Sequence, residues 1–236
     1  MLVPSHPSGV RVVLAGLSLV SILACAGQAP ARRAAIENHH VPACADSEVV
    51  ARADSAEPAA LTGTGGRVVR TGCVLLVRTA SGRAVALTDD YTEGDRFVQH
   101  VYRGSLPPRQ LDVVEVARYE GGGYLVLDRN GAQTWIARAP VASPDGRRFV
   151  ALSFDLEAGY QPNVIEVWRV EDGSPRLEIA VRSDDWGPSD ARWRDNATIT
   201  FVQNFPRYTD EGYGYDRRPV RLVRRARGWM LEQDAH

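Results

Sequence analysis

Lysine is absent from this chain of 236 residues, in which all 28 basic residues are arginine. Three kinds of lysine-dependent site are thereby excluded: a Schiff-base lysine, a lysine-activated serine and the lysine of a P-loop. The charge is nearly balanced, since 28 basic side chains stand against 29 acidic ones. We therefore expect no nucleic-acid partner, because binding to a phosphate backbone requires an excess of cations.

Histidine is scarce, with five residues in all. His39 and His40 are adjacent near the N-terminus and His100 lies in a strand pattern, so no histidine cluster is available for a metal. His100 is not accompanied by a G-x-S-x-G sequence, and we expect it to be a hydrogen-bonded structural residue. Residues 89–95 carry oxygen ligands without the EF-hand spacing, which we interpret as a solvated turn. The sequence predicts no metal, no cofactor and no catalytic residue.

The first 24 residues have the pattern of an export signal. Arg11 precedes an uncharged apolar run at residues 12–23, and Ala24 and Cys25 follow it. The run is too short for a stable membrane span and it ends in small residues, so we expect it to be cleaved. The protein is therefore predicted to leave the cytoplasm.

The end of this run, Ile22-Leu23-Ala24-Cys25, resembles the lipobox of bacterial lipoproteins, in which cleavage before the cysteine exposes a thiol that receives lipid. Leu23 departs from the small residue that the motif usually has at that position. The resemblance implies lipidation of Cys25 and a membrane-anchored protein of the cell envelope that faces the periplasm or the exterior. Plain secretion, with cleavage after Ala24-Cys25-Ala26, is the alternative.

Two further cysteines, Cys44 and Cys73, remain after either cleavage. Because an exported protein folds in an oxidising compartment, we expect a disulfide between them, with two free thiols as the alternative. Cys44 belongs to an alanine-rich segment at 25–61 that we interpret as a tether with at most a short helix at 46–52. The sequence thus divides into a signal peptide at 1–24, this tether, and an all-β domain at 62–236.

From Arg67 onward, short β-rich segments alternate with turn sequences at spacings typical of all-β domains. The alternation of apolar and polar residues favours antiparallel sheets with one buried side. No segment has a sustained helical period. The predicted strands are 68–79, 83–88, 97–103, 111–119, 124–128, 134–138, 148–154, 164–170, 176–182, 197–203, 220–225 and 229–232.

A weak internal repeat orders these strands. The turn Ser143-Pro144-Asp145-Gly146-Arg147-Arg148-Phe149 leads into one strand, and Ile165-Glu166-Val167-Trp168-Arg169-Val170-Glu171-Asp172-Gly173 forms the next strand and turn. These motifs resemble the blades of TolB-like and WD40-like bacterial β-propellers, over residues 111–232 and more loosely over 67–103. The resemblance implies an antiparallel, propeller-like fold of about three to four blades in a small or incomplete ring. A twisted sheet built from the same hairpins is the alternative.

Hairpin loops in successive repeats share a composition that suits binding. Each loop joins the second and third strands of its unit and combines a carboxylate, small residues and an aromatic. Because equivalent loops of a propeller project from one face, we predict a shared rim for sugars, peptides or a protein. Plain turn chemistry, with tyrosines that pack locally, is the alternative. The candidate rim residues are Glu120, Tyr124, Glu157, Tyr160, Glu211, Tyr213 and Tyr215.

Two other segments carry aromatic residues outside the predicted strands. Residues 204–218 are predicted to form a long loop, whose alternating aromatics and charges suit recognition. Residues 184–188 and Trp193 are interpreted as an aromatic turn cluster, in which Trp186 and Trp193 cover the end of the core.

These observations favour an exported, lipid-anchored binding or scaffolding module of the cell envelope, with a protein or glycan partner. A glycan-processing enzyme is one alternative, in which two of the rim carboxylates lie about 5 to 10 Å apart. Its candidate acids are Asp155, Glu157, Asp210 and Glu211. A structural envelope component without a ligand is the other alternative.

Overall fold

A computed structural model describes residues 56–108, 111–210 and 212–233 of the chain. The predicted signal peptide, Cys25, Cys44 and Glu211 lie outside these residues. The described part is almost entirely β-strand, with one short α-helix and one turn of 3-10 helix. The all-β class predicted from the alternating sequence is therefore confirmed.

The elements follow one another without long helical connections. Helix α1 (Glu57–Thr62) lies at the end of the segment that the sequence assigns to the tether, and the 3-10 helix (Gly94–Arg96) precedes the fourth strand. The strands are β1 (Val68–Thr71), β2 (Val74–Arg78), β3 (Ala84–Thr88), β4 (Val98–Leu106), β5 (Leu111–Arg118), β6 (Gly122–Leu127), β7 (Gln133–Ile136), β8 (Val141–Ala142), β9 (Arg148–Ser153), β10 (Val164–Glu171), β11 (Ser174–Arg182), β12 (Gly187–Trp193), β13 (Thr198–Thr209), β14 (Gly212–Arg225) and β15 (Gly228–Gln233).

These strands form four antiparallel sheets, and in each sheet the neighbours in space are also neighbours in sequence. Sheet 1 contains β1–β3, sheet 2 contains β4–β7, sheet 3 contains β8–β11, and sheet 4 contains β12–β15. Short connections of this kind are typical of antiparallel meanders. Within the described ranges the four sheets close neither a ring nor a barrel.

Three apolar clusters hold consecutive sheets together. Leu75 and Val77 of sheet 1 pack with Tyr102 of sheet 2, and Leu111 of sheet 2 packs with Phe149 of sheet 3. The third cluster joins sheets 3 and 4 through Val150, Ile165, Val167, Ile199, Phe201, Val220 and Leu222. Each sheet therefore buries its apolar face against the next sheet along the chain, because one side of an alternating strand must leave water.

Trp186 and Trp193 pack against the cluster between sheets 3 and 4, as the sequence predicts. The prediction that this region is only a turn is wrong, because residues 187–193 form β12 and pair with β13. A β-bulge between Ser189 and Arg192 interrupts the alternation there, and Asp190 has a positive φ of 56°. The irregular backbone explains why no period-2 pattern identifies this strand.

Two other strand predictions require correction. The single strand predicted at 68–79 is two strands, β1 and β2, because Gly72 takes a φ of 55° in the turn between them. The long loop predicted at 204–218 is instead regular structure, since β13 and β14 pair continuously from Thr198↔Val223 to Thr209↔Gly212.

The interpretation of residues 89–95 as a solvated turn is wrong at its first residues, because Asp89 and Asp90 are buried. Asp89 accepts hydrogen bonds from Arg70 and from His100 at 2.8 Å each. Arg70 also donates to Glu57 of α1 at 2.8 and 3.0 Å. Although burial alone would lower the pKa of Arg70, the hydrogen bond to Glu57 and the charge of Asp89 raise it above its ordinary value. This ionic network connects α1 and sheet 1 to sheet 2.

Candidate functional site

The loops singled out from the sequence occupy equivalent places in the fold. Each joins the second and third strands of a four-stranded sheet: β5–β6 in sheet 2, β9–β10 in sheet 3 and β13–β14 in sheet 4. The first two are neighbours, since a Cβ added to Gly121 would lie 3.6 Å from the Cβ of Tyr160. The second and third are hydrogen-bonded, because the Tyr215 hydroxyl donates to Oε1 of Glu157 at 2.7 Å. The fold therefore brings the three loops together.

The β13–β14 hairpin extends beyond the rest of sheet 4. Strand β12 pairs with β13 only as far as Asn204, and β15 pairs with β14 only from Val220. Residues 205–209 and 212–216 are therefore paired only with each other, and we call this part the ribbon. Five residue pairs correspond to a projection of about 15 Å.

One face of the ribbon is aromatic because side chains alternate along a strand. Tyr208 is paired with Tyr213 and Pro206 with Tyr215, which places these four side chains on the same face. The Tyr213 hydroxyl donates to the Tyr215 hydroxyl at 2.9 Å, and Tyr208 is 80 % exposed. The ribbon thus presents ring surface to the solvent together with hydroxyl groups that are already oriented.

Tyr215 connects the ribbon to sheet 3. Its ring lies edge-on to that of Phe154, with 5.1 Å between the centroids, and its hydroxyl reaches Glu157 in the same β9–β10 connection. Asp155 orders that connection by accepting hydrogen bonds from the backbone amides of Ala158 at 3.3 Å and Gln161 at 2.9 Å. The contacts hold the aromatic groups in a defined arrangement before any ligand arrives.

A cleft of about 470 Å³ opens beside these aromatic groups. Sheets 2, 3 and 4 all contribute to its wall, which includes Tyr124, Arg138, Leu152, Phe154, Pro188 and Asp190. Phe154 both lines the cleft and contacts Tyr215, and Asp190 pairs with Arg217 at 2.5 Å next to the ribbon. The cleft and the ribbon therefore form one continuous surface, with a volume in the range of ordinary small-ligand pockets.

Two tyrosines of this surface, Tyr215 and Tyr124, have a raised pKa and are neutral hydrogen-bonding groups. Burial, then the hydrogen bonds to Tyr213 and Glu157, raise the pKa of Tyr215 above its ordinary value. Burial, followed by the charge of Glu115, raises the pKa of Tyr124 in the same direction. Since a charged phenolate is disfavoured at both positions, these hydroxyl groups can donate hydrogen bonds and are unsuited to act as bases.

Of the predicted rim residues, Glu157, Tyr213 and Tyr215 are joined by hydrogen bonds, Tyr124 lines the cleft, and Tyr160 lies beside the β5–β6 turn. Glu120 is exposed at the tip of the β5–β6 hairpin, and Glu211 lies outside the described residues. Sequence reasoning missed Phe154 and Arg138, because each follows a strand without any motif. Phe154 meets Tyr215 only because sheets 3 and 4 pack together, and Arg138 lies beside Tyr124 because β7 pairs with β6.

Gly187 makes close packing around Phe154 possible. A Cβ added at this position would overlap the Phe154 ring, with Cε2 at 2.7 Å. We expect Gly187→Ala to displace the ring and to destabilise the domain by about 1 to 3 kcal/mol, as measured by thermal and urea unfolding. Gly214→Ala is the matched control, since no heavy atom lies within 4 Å of its added Cβ. Equal stability of the two variants would contradict close packing at Phe154.

The other predicted site residues lie away from this surface or outside the described residues. Cys73 is buried, whereas its proposed partner Cys44 lies outside the described residues, so their disulfide stays a prediction. His100 is buried in the network around Asp89, with Nδ1 2.9 Å from Oδ1 of that residue. In the described ranges, no three histidine, cysteine or acidic residues are grouped so as to hold a metal ion.

Comparison with known proteins provides no relative for this chain. No protein family, no curated protein and no solved structure matches it. The chemistry of the surface formed by the ribbon, the β9–β10 connection and the cleft is therefore what indicates the function.

Proposed function

We propose that this protein is an exported, lipid-anchored binding module of the cell envelope that recognises a glycan on the surface formed by the ribbon and the cleft. The observation that carries the proposal is the arrangement around Tyr215, which joins Phe154, Glu157 and Tyr213 into one ordered aromatic and hydrogen-bonding group beside the cleft. This group combines ring surface with fixed polar atoms, as ligand sites do.

The chemistry of the surface suits sugars. A sugar ring has apolar C–H faces, which the exposed rings of Tyr160 and Tyr213 can cover, and hydroxyl groups around its edge. Glu157 and the hydroxyl oxygens of Tyr213 and Tyr215 supply acceptors for that edge, because the hydrogens of both hydroxyl groups are already donated within the site. The Tyr160 hydroxyl supplies a donor. Because the ribbon is held against sheet 3 through Tyr215, little conformational entropy has to be lost on binding.

The acids of the β9–β10 connection favour binding over the alternative of glycan processing. Asp155 accepts hydrogen bonds from two backbone amides, and Glu157 accepts one from Tyr215. Each carboxylate thus has a structural partner. No pair of carboxylates faces the cleft among its described lining residues, where Asp190 is the single acid.

We further propose that the four sheets are arranged as blades of an incomplete, propeller-like assembly. Each of sheets 2 to 4 is a four-stranded antiparallel meander, and their second hairpins meet at one rim. Repeated units that pack only on their neighbours are typical of such architectures. This arrangement explains why loops about 40 to 50 residues apart in the chain contribute to one surface.

The proposed export and lipid anchor depend on the N-terminal pattern of Arg11, the apolar run at 12–23 and Cys25. In the part of the chain that the structure describes, no helix is long and apolar enough to cross a membrane. The lipid on Cys25 is proposed as the means of attachment.

Removing the exposed rings tests the binding site. We expect Tyr160→Ala and Tyr213→Ala each to weaken glycan binding about tenfold, because each loses the contact of one ring face. Since both side chains are largely exposed, the thermal midpoint should move by less than roughly 2 °C. A glycan array of neutral and acidic oligosaccharides identifies the ligand, and calorimetry measures the affinities.

Met230→Ala is the control for loss of an exposed apolar side chain, since β15 pairs with the end of β14 remote from the ribbon. This variant should bind as the unmodified protein does. A large loss of stability in the tyrosine variants with unchanged binding would show that the rings are packing residues. Binding to a peptide array without any binding to glycans would show that the ligand is a peptide and that the glycan proposal is wrong.

A further inference from the structure

Arg138 is an exposed cation on the wall of the cleft. Its side chain has no ion pair and no hydrogen bond to any described residue, in contrast to the other charged groups around it. Since it follows β7 and stands across the cleft from β12, it is placed to meet a ligand that enters beside Phe154.

Two acids beside the cleft, Asp190 and Glu115, are already paired with other arginines. Asp190 pairs with Arg217 at 2.5 Å and accepts a hydrogen bond from Ser189 at 3.0 Å. Glu115, which faces Tyr124, pairs with Arg103 at 2.5 Å. Neither carboxylate is therefore available to compensate the charge of Arg138.

The other arginines of the neighbouring ribbon region also have partners. Arg207 pairs with Asp216 at 3.3 Å, Arg217 pairs with Asp190 at 2.5 Å, and the guanidinium of Arg218 lies 4.2 Å from the centre of the Phe205 ring. Among the described residues that line the cleft, Arg138 is the one cation, and no described carboxylate pairs with it. A ligand that brings an anionic group gains most at this position.

We propose that Arg138 forms an anion subsite and that the glycan bound here is acidic, with a carboxylate or a sulfate ester on the sugar that enters the cleft. This inference rests on the proposed glycan site. The planar guanidinium can donate two parallel hydrogen bonds to either oxyanion group.

The test compares acidic oligosaccharides with their neutralised forms by calorimetry. The probes are trigalacturonate and its methyl ester, and a κ-carrageenan tetrasaccharide, whose only anionic groups are sulfate esters, and its desulfated form. We expect the acidic member of at least one pair to bind about 10 to 100 times more tightly than its neutral member. Raising the salt concentration from 0.05 to 0.5 M should reduce that preference several-fold. A preference within the trigalacturonate pair indicates a carboxylate ligand, and a preference within the sulfated pair indicates a sulfate ester.

Three variants assign the preference to Arg138. In Arg138→Gln the acidic and neutral members should bind equally, with the affinity for the neutral member unchanged. Arg138→Lys should keep part of the preference, since it retains the charge without the planar guanidinium. Arg147→Gln, which removes an exposed arginine from the turn before β9, is the matched control. This variant should keep the full preference for the acidic member of the pair.

The possible failures are distinguishable. If the protein binds both members of every pair equally, the anion subsite is wrong while the glycan site stands. If Arg138→Gln keeps the preference for the acidic member, a different cation binds the anion and the inference about Arg138 is overturned. If no acidic probe binds but neutral glycans on the array do, the inference again fails alone. Absence of all glycan binding overturns the proposed function and this inference together.

Discussion

Replacing Asp89 with alanine is expected to lower the free energy of unfolding by about 3 to 5 kcal/mol and the thermal midpoint by roughly 10 °C. The Asp89 side chain is fully buried, with one oxygen 2.8 Å from Nη1 of Arg70 and the other 2.8 Å from the backbone nitrogen of His100. Alanine leaves the largely buried guanidinium with a single acidic partner, Glu57, and removes the acceptor of a buried amide. Circular dichroism during thermal and urea unfolding measures the loss.

The size of this loss follows from burial, so the control is an exposed ion pair. Glu171 lies 3.0 Å from Arg169, and both side chains are about half exposed, at 49 % and 45 %. Glu171→Ala should cost less than about 1 kcal/mol. Asp89→Asn preserves the volume of the side chain and should give an intermediate loss, measurable even where the alanine variant does not fold. Equal small effects at positions 89 and 171 would contradict a stabilising buried network.

Replacing Cys25 with serine is expected to move the protein out of the membrane fraction or to block its processing. Serine cannot form the thioether that carries the lipid, and an acyl chain contributes about 0.8 kcal/mol of membrane affinity for each buried methylene. Fractionation of bacteria that express the chain with its own N-terminus measures the distribution. Intact-mass analysis determines whether a lipid is attached at residue 25.

Cys44→Ser is the control for loss of a cysteine, because it leaves the sequence around Cys25 unchanged. This variant should remain in the membrane fraction. A mature N-terminus at Gly27 without an added lipid would contradict the lipoprotein hypothesis and support plain secretion. That outcome would leave the proposed binding surface unaffected, since its residues all lie beyond residue 120.

Local sequence patterns predicted the fold class and the places of the hairpins. Alternation such as Leu177, Ile179 and Val181 indicates a strand, and β11 includes all three. The prediction that they share one face is wrong at Leu177, which is exposed beside a register shift in the pairing of β10 and β11, whereas Ile179 and Val181 pack against the core. The glycine-rich sequence around Gly121 indicates a tight turn, and it lies between β5 and β6. These properties depend on φ/ψ preferences and on the period of two along a strand, so a short stretch of sequence contains them.

The ribbon shows where such patterns are insufficient. Residues 204–218 contain Pro206, two glycines and several charges, which favour a loop when considered alone. The hairpin nevertheless pairs continuously, because the interior residues Ile199 and Phe201 on one strand and Val220 and Leu222 on the other set its register. Once that register is set, neighbouring pairs follow it outward into the ribbon.

The sequence by itself determined that the described domain is all-β, that its strands form antiparallel hairpins, and that three similar loops join equivalent strands. Only the tertiary structure decided that Asp89 is buried beside Arg70, that Phe154 meets Tyr215, and that Arg138 lines the cleft with no ion-pair partner among the described residues. The physical reason is the separation in sequence of the residues that interact. Strand propensity and turn geometry arise from adjacent residues. Burial and charge compensation depend on groups that are distant in the chain and meet only when the sheets pack.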